Sequence, residues 1–355
     1  MAKEVMKIND LSFVERAAEL VMSYGRKDKD ISFSPYGDHW KQMRKVCTLE
    51  LLSSKRVQSF SFIREHEVYK LIESIQNSCT SSGSGSSLIN LSKKIFPMTS
   101  TITSRAIFGR EFENQEKFIT LTRKIVDISK GFDLSDLFPS MKFLKSISST
   151  KAKLVKHSGS LETPFTTENI IALIWEMYGG GTDLSSIAVE WTMSELMRNP
   201  RVMEKAQAEI REAFKGKKRG KEIDLQKLRY LKESCKIDGY DIPIKTKVIV
   251  NAWAIGRDPV YWDKAESFIP ERFDSIPFDF KVASFEYLPF GAGRRMCPGI
   301  LYGLANIELP LAQLLYHFNW ELPNGMEPED LDMTETISAT VGRKNNLHLI
   351  ATSYN

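Results

Sequence analysis

A cysteine in a glycine-rich loop is the strongest candidate for chemistry in this chain. The segment from 289 to 299 reads PFGAGRRMCPG and places Cys297 directly before a Pro-Gly pair. A thiolate is a nucleophile and a metal ligand, and glycines let backbone amides come close to the sulphur. We therefore interpret Cys297 as a metal ligand.

Five positions in this loop form the spaced pattern FxxGxRxCxG. They are Phe290, Gly293, Arg295, Cys297 and Gly299. The pattern resembles the signature of the haem-thiolate cytochrome P-450 family. The resemblance implies that the cysteine is the axial ligand of the haem iron and that its thiolate donates electron density to the iron. It also implies that Phe290 shields the sulphur, that the glycines permit close backbone approach, and that Arg295 pairs with a haem propionate.

Two other interpretations of the loop explain less. A buried core cysteine at this position leaves Gly293 and Arg295 without a reason. A dinucleotide-binding GxGxxG motif requires a third glycine where Met296 stands, and no strand-helix pair with a downstream acid accompanies the loop.

A long helix is predicted from 166 to 199, where Pro200 stops it. Three consecutive glycines in its middle each cost about 1 kcal/mol relative to alanine, so another gain must offset them. No Gly-Lys-Ser/Thr follows, which excludes a phosphate-binding loop. The family resemblance supplies a reason, because its central helix carries [AG]-G-x-[DE]-T-[TS] above the haem. It implies that Gly181, Thr182 and Asp183 line an oxygen groove.

The next position departs from this family pattern. Leu184 stands where the family usually has a threonine that helps to deliver protons. A leucine side chain has no proton to donate. Ser185 can take over that role only if the helix is locally unwound.

A second helix, predicted to begin at Asp38, carries Trp40 and Arg44 on one face. Taken alone, this pair is explained equally well as an aromatic side chain packed beside a solvated charge. In the family, however, a WxxxR helix lies beside the porphyrin and supplies donors to its propionates. The resemblance therefore implies that Trp40 and Arg44 hold the propionates.

Composition excludes several functional classes. The 355 residues carry a net charge of +4, too small a surplus for a nucleic-acid-binding protein. The four cysteines form no CxxC or close pair, which argues against a zinc site and a disulfide scaffold, and for a reducing, cytosol-facing environment. No apolar run predicts a membrane span, and the polar first ten residues predict no signal peptide or anchor. The family resemblance implies the endoplasmic reticulum membrane, whereas a chain with no anchor of its own is also compatible with a soluble protein in peripheral membrane contact.

Three segments that the family resemblance leads us to expect are missing. They are the anchor with the first strands before residue 1, a helical excursion over the pocket roof near 155–157, and a helix bearing Glu-x-x-Arg near 232–234. Arg272, in a segment that resembles the family's PERF motif, would lose its partners in a buried charged network, at a cost of about 3–5 kcal/mol. We therefore interpret 1–355 as a single, shortened cytochrome P-450 domain of the plant microsomal type.

The predicted fold is mainly α with small β-sheets, an incomplete cytochrome P-450 fold. We expect a helix from 299 to 320 behind the cysteine, with a kink at Pro310. We also expect a terminal hairpin formed by 334–341 and 346–351, and a low-complexity linker over 79–87.

The resemblance implies a haem b cofactor and a monooxygenase reaction. One atom of O₂ would enter a small apolar substrate of the plant secondary-metabolite class, with electrons from NADPH through a cytochrome reductase. The alternative is a non-catalytic or uncoupled haem-protein remnant, which Leu184 and the missing segments favour. A third hypothesis is an α-rich structural protein without haem.

Overall fold

The computed structural model describes residues 2–8, 10–13, 30–32, 34–109, 167–214, 249–273, 285–336 and 340–354. Helices account for most of these residues, which confirms the predicted mainly α class. The positions near 155–157 and 232–234, where the chain is predicted to be shortened, lie outside the described residues.

The α-helices are numbered in chain order. They are α1 (Asp10–Phe13), α2 (Asp38–Cys47), α3 (Ser54–Ser59), α4 (Ser61–Ser81), α5 (Leu91–Phe108), α6 (Thr167–Gly179), α7 (Ser185–Arg198), α8 (Pro200–Ala213), α9 (Ala252–Ile255) and α10 (Ile300–His317). Wider π-helical turns occupy Glu4–Ile8, Thr48–Leu52 and Gly180–Leu184, and short 3₁₀ turns occupy Pro270–Phe273, Pro323–Gly325 and Pro328–Asp330.

One antiparallel sheet of three strands is present among the described residues. Its strands are β1 (Ser86–Asn90), β2 (Phe318–Glu321) and β3 (His348–Ser353), in the order β1-β3-β2. In register, Leu88 pairs with Ile350 and Trp320 pairs with Ala351. The last strand of the chain therefore lies in the centre of the sheet.

This topology corrects two predictions. The expected terminal hairpin does not form, since β3 pairs with two strands that are distant in sequence, and only the bridge Glu335–Arg343 closes the turn before it. The expected linker is also partly structured, because α4 extends to Ser81 and β1 begins at Ser86. Pairing between distant segments depends on the surrounding core, which local spacing does not reveal.

The main hydrophobic core lies where α4, α5, α7 and α10 meet beneath the sheet. The buried side chains of α5 include Ile95, Met98 and Ile102, at the three- and four-residue spacing of one helix face. Complete burial of such a side chain contributes about 1.5–3 kcal/mol. This core holds the long helix and α10 at fixed positions on either side of the candidate site.

A second, smaller core joins α2 to α10. It contains Trp40, Met43 and Cys47 from α2, together with Tyr302 and Ala305 from α10. The apolar face of α2 was predicted from the same spacing. Its burial fixes the helix that carries Arg44 next to the cysteine loop.

The predicted long helix is confirmed. Helix α6, the π turn and α7 follow one another without interruption from 167 to 198, roughly 48 Å at 1.5 Å per residue. Pro200 begins the next helix, as the sequence predicts. The consecutive glycines therefore do not break the helix; they coincide with its wider turn.

Candidate active site

The cysteine loop has a backbone that requires glycine at two positions. Gly291 and Gly293 have φ values of +68° and +74°, which side-chain-bearing residues rarely adopt. A Cβ atom at Gly293 would also overlap the carbonyl oxygen of Met6. The loop closes through a hydrogen bond from the Cys297 amide to the Phe290 carbonyl oxygen, at 3.0 Å.

Cys297 differs from the other described cysteines in its exposure. Its thiol is exposed, whereas Cys47 and Cys79 are buried. Burial, and secondarily the nearby charge of Glu176, raises the pKa of the Cys47 thiol to about 12. Burial also raises the pKa of Cys79. A buried neutral thiol is a poor metal ligand, so among the three described cysteines Cys297 is the one suited to bind an added metal.

Three hydrogen-bond donors cluster beside this loop. Arg44 on α2 donates from Nη2 to the Met296 carbonyl oxygen at 2.5 Å. The Cζ atoms of Arg44 and Arg295 lie 5.4 Å and 4.8 Å from the centroid of the Trp40 ring, so both cations contact the same indole. The single indole N–H is donated to the Ile31 carbonyl oxygen. The two guanidinium groups each carry further N–H groups, and beside an exposed thiol they fit a cofactor that has both a metal and carboxylate groups.

Residues 30–32 and 34, called here the segment 30–34, contact Trp40 and Arg295 of this donor cluster. The Ile31 carbonyl oxygen accepts hydrogen bonds from Trp40 Nε1 at 2.8 Å and from Arg295 Nη1 at 3.3 Å. Glu176 on α6 accepts from the amides of Ile31 and Ser32. Burial, and then the charge of Asp30, raises the pKa of the Glu176 carboxyl. Sequence reasoning missed this acid, although it interrupts the apolar run IIALIW.

The wider turn Gly180–Leu184 has one open and one buried side. Gly180 and Leu184 are exposed, Leu184 to 52%. Gly181 and Thr182 are buried, and a Cβ atom at Gly181 would lie 3.0 Å from Tyr302 on α10. Asp183 lies between these extremes. The predicted groove residues are therefore on one turn, but two of them pack against protein.

The hydroxyl groups near this turn are not on its open side. Thr182 Oγ1 is buried and has no hydrogen-bond partner among the described residues. Ser185 is buried at the start of α7, and Ser186 donates to the Asp183 carbonyl oxygen at 2.9 Å. The helix is widened at this point but remains helical, so the local unwinding that Ser185 would need is not present.

Arg272, which was expected to lose the partners of the family's charged network, has backbone partners instead. Its guanidinium donates to four backbone carbonyl oxygens, those of Asp263 (2.7 Å), Lys264 (3.0 Å), Ser267 (2.8 Å) and Ile269 (3.1 Å). Backbone carbonyls of the preceding loop thus satisfy the cation. The loop adopts an unusual shape to do so, with a φ of 47° at Lys264.

An aromatic cluster connects this segment to the cysteine loop. Phe273, next to Arg272, lies 6.0 Å from the Trp262 ring and 5.3 Å from Tyr287 between ring centroids. Tyr287 comes just before the loop at 289–299. Trp262 also donates from Nε1 to the Glu286 carbonyl oxygen at 3.2 Å. These contacts support the entrance to the loop.

The described residues contain neither a cluster of metal-binding side chains nor a membrane-spanning helix. No group of three or more His, Cys, Asp or Glu side chains there could hold a metal ion. No described helix is both long and apolar enough to cross a membrane.

Comparison with known proteins identifies the family. The cytochrome P-450 family model matches residues 1–160, 148–236 and 229–350. The chain is 49% identical to cytochrome P-450 71D8 of Glycine max, with 100% of this chain and 82% of the relative covered. It is 43% identical to premnaspirodiene oxygenase of Hyoscyamus muticus, over 100% and 82%, and 44% identical to germacrene A hydroxylase of Barnadesia spinosa, over 99% and 82%.

A solved structure supports the fold. A zebra fish cytochrome P-450 with abiraterone superposes with a TM-score of 0.75 at 19% identity, covering 100% of this chain and 91% of that one. With relatives above 40% identity along the whole chain, this protein belongs to the cytochrome P-450 family and, within it, to the plant A-type group.

Proposed function

We propose that this protein is a haem-dependent monooxygenase that inserts one atom of O₂ into a small apolar substrate of the plant secondary-metabolite class. The observation that carries the proposal is the exposed Cys297 thiol beside the donors Trp40, Arg44 and Arg295. Family members generally use O₂, a redox partner and an organic substrate. The relatives named premnaspirodiene oxygenase and germacrene A hydroxylase support an apolar organic substrate.

The site residues have separate roles in this proposal. Cys297 ligates the iron of haem b, while Phe290 shields the sulphur and Gly293 and Gly299 permit close approach of the backbone. Propionates are held by Arg44 and Arg295. Trp40, which was predicted as a third donor, gives its single N–H to the Ile31 carbonyl oxygen and packs against both guanidinium groups instead. When bound, thiolate-ligated haem supplies the activation of dioxygen.

The long helix forms the opposite wall in this proposal. Gly181, Thr182 and Asp183 belong to the turn that forms the oxygen groove, and the open side of that turn carries Gly180 and Leu184. The apolar Leu184 side chain favours contact with an apolar substrate.

We further propose that the chain is one domain with internal deletions near 155–157 and 232–234. The three segments that match the family model meet at 148–160 and 229–236, close to these positions. The alignment with the Glycine max relative extends over 422 positions, whereas the chain has 355 residues. At least 67 aligned positions therefore have a residue in the relative and a gap in this chain. Electrons from NADPH through a cytochrome reductase, and a site of action at the endoplasmic reticulum membrane, complete the proposal.

The test is the carbon monoxide difference spectrum of the haem-loaded, dithionite-reduced chain. We expect the strongly red-shifted Soret band of a thiolate-ligated haem. Cys297→Ala should abolish this band, and Cys297→His should move it to the position of a neutral ligand. Cys79→Ala replaces a buried cysteine that lies outside the cysteine loop, and this variant should keep the wild-type band. A thiolate band that survives in Cys297→Ala would overturn the proposal.

One observation favours a second candidate, an uncoupled haem protein that consumes NADPH without forming product. Leu184 is exposed on the open side of the turn, and the nearby hydroxyl groups are buried. A reductase assay that measures product per NADPH consumed separates the two candidates. Consumption without product supports the second, and stoichiometric product supports monooxygenation.

A further inference from the structure

A single carboxylate on the long helix holds the segment next to the donor cluster. Glu176 lies on α6, just before the wider turn. Its Oε2 atom accepts from the Ile31 amide at 2.8 Å, and its Oε1 atom accepts from the Ser32 amide at 3.0 Å. Hydrogen bonds to an ionised carboxylate are short and strong, and two from successive amides fix the orientation of both peptide groups.

The other side of the same segment orients the donors. The Ile31 carbonyl oxygen accepts from Trp40 and Arg295, which uses both of its lone pairs. The Ser34 carbonyl oxygen accepts from Arg295 Nη2 at 2.6 Å. Two carbonyls therefore set the plane of the Arg295 guanidinium, and one of them also positions the indole.

Two hydrogen bonds connect the ends of the segment, so a displacement of one end also moves the other. The Asp30 amide donates to Ser34 Oγ at 3.0 Å, and the Ser34 amide donates to Asp30 Oδ1 at 3.1 Å. Both residues are buried. These reciprocal bonds connect Asp30 to Ser34, so the described residues at 30–32 and 34 together link the long helix, α2 and the cysteine loop.

We propose that Glu176 is a positioning residue for cofactor binding, which acts through the segment 30–34 on Trp40 and Arg295. This rests on the proposed function, because it assigns Arg295 to a propionate and Trp40 to the ring that packs against it. Glu176 itself contacts neither the cofactor nor substrate. Its loss leaves two amides without their acceptor and frees the carbonyls that orient the Arg295 guanidinium.

The test compares Glu176→Gln and Glu176→Asp with wild type. Glutamine keeps the side-chain length but presents an NH₂ group to one of the two amides, whereas aspartate keeps both oxygens on a shorter stem. Hydrogen exchange of the 30–34 amides, measured with and without haem, should be about tenfold faster in Glu176→Gln. The fraction of haem in the thiolate band should fall several-fold, and Glu176→Asp should restore part of both readouts.

The matched control is Glu195→Gln, the same substitution on the same long helix. Among the described residues, the Glu195 carboxylate makes only one weak contact, which joins its Oε2 atom to Asn199 Nδ2 at 3.5 Å. This variant should match wild type in both measurements. If Glu176→Gln also matches wild type, the positioning role is overturned. If wild type itself shows no thiolate band, the proposed function fails, and the exchange measurement without haem still decides whether Glu176 holds the segment.

Discussion

The donor cluster at the cysteine loop and the wider turn of the long helix match the family pattern to different degrees. Around the loop, Arg295, Trp40 and Arg44 all make hydrogen bonds that orient them. At the turn, Leu184 replaces the hydroxyl on the open side, and the Thr182 hydroxyl is buried without a partner in the described structure. The comparison separates two parts of the proposed site: the side chains at the loop are held in place by hydrogen bonds, whereas the open side of the turn carries no hydroxyl group.

The largest expected effect concerns proton delivery at position 184. Leu184→Thr places a hydroxyl on the open side of the turn, where it can donate and accept hydrogen bonds. A correctly placed proton donor is worth about 10²–10⁴ in rate, so the rate of product formation should rise at least tenfold. The measurement is product and NADPH in the same reductase assay.

Leu184→Val is the matched control for this prediction, since valine has the shape of threonine without its hydroxyl. It should leave the rate of product formation of wild type unchanged. Equal rates from the threonine and valine variants would show that the missing hydroxyl does not limit the turn, and would remove the contrast between the two regions.

The second prediction concerns the support behind the cysteine loop. Arg272→Met keeps the length of the side chain but removes four hydrogen bonds to the loop 263–269. These groups are partly exposed, so we expect a loss of about 2 kcal/mol in unfolding free energy. The thermal unfolding midpoint should fall by roughly 3 °C.

Arg201→Met is the control for that change. Arg201 forms an exposed ion pair with Glu271, at 2.9 Å. Exposed ion pairs contribute about 0–1 kcal/mol, so this variant should unfold near the wild-type temperature. Equal losses in the two variants would contradict the idea that the four backbone carbonyls are stabilising partners of Arg272.

The sequence predicts well what depends on local spacing. Patterns of neighbouring residues predict four features that the structure contains. They are the long helix, its end before Pro200, the helix of Trp40 and Arg44, and the glycines of the cysteine loop. The role of Arg44 beside the loop came only from the family resemblance, because its contact with Met296 joins residues that are 252 positions apart.

The other features of the fold and of the candidate site depend on contacts between distant residues, which the sequence pattern does not reveal. Arg272 is satisfied by backbone carbonyls, which every residue has, so its side-chain type does not reveal them. The pairing of β3 with β1 and β2 joins distant segments. Glu176 did leave a signal, an acid directly after the apolar run IIALIW, where a charged side chain is expected to be buried and to need a partner.

The smallest expected effect tests the buried side of the turn. Thr182→Val removes a hydroxyl that lacks a partner among the described residues and keeps the side-chain shape. Removal of an unsatisfied buried polar group is neutral or stabilising, by up to about 1 kcal/mol. In Thr99→Val, the lost hydroxyl bonds to the Phe96 carbonyl oxygen at 3.1 Å, so that variant should lose about 1 kcal/mol. Denaturant unfolding of both variants measures the difference. An equal loss in both would mean that the Thr182 hydroxyl has a hydrogen-bond partner, and the turn would then be as well satisfied as the cysteine loop.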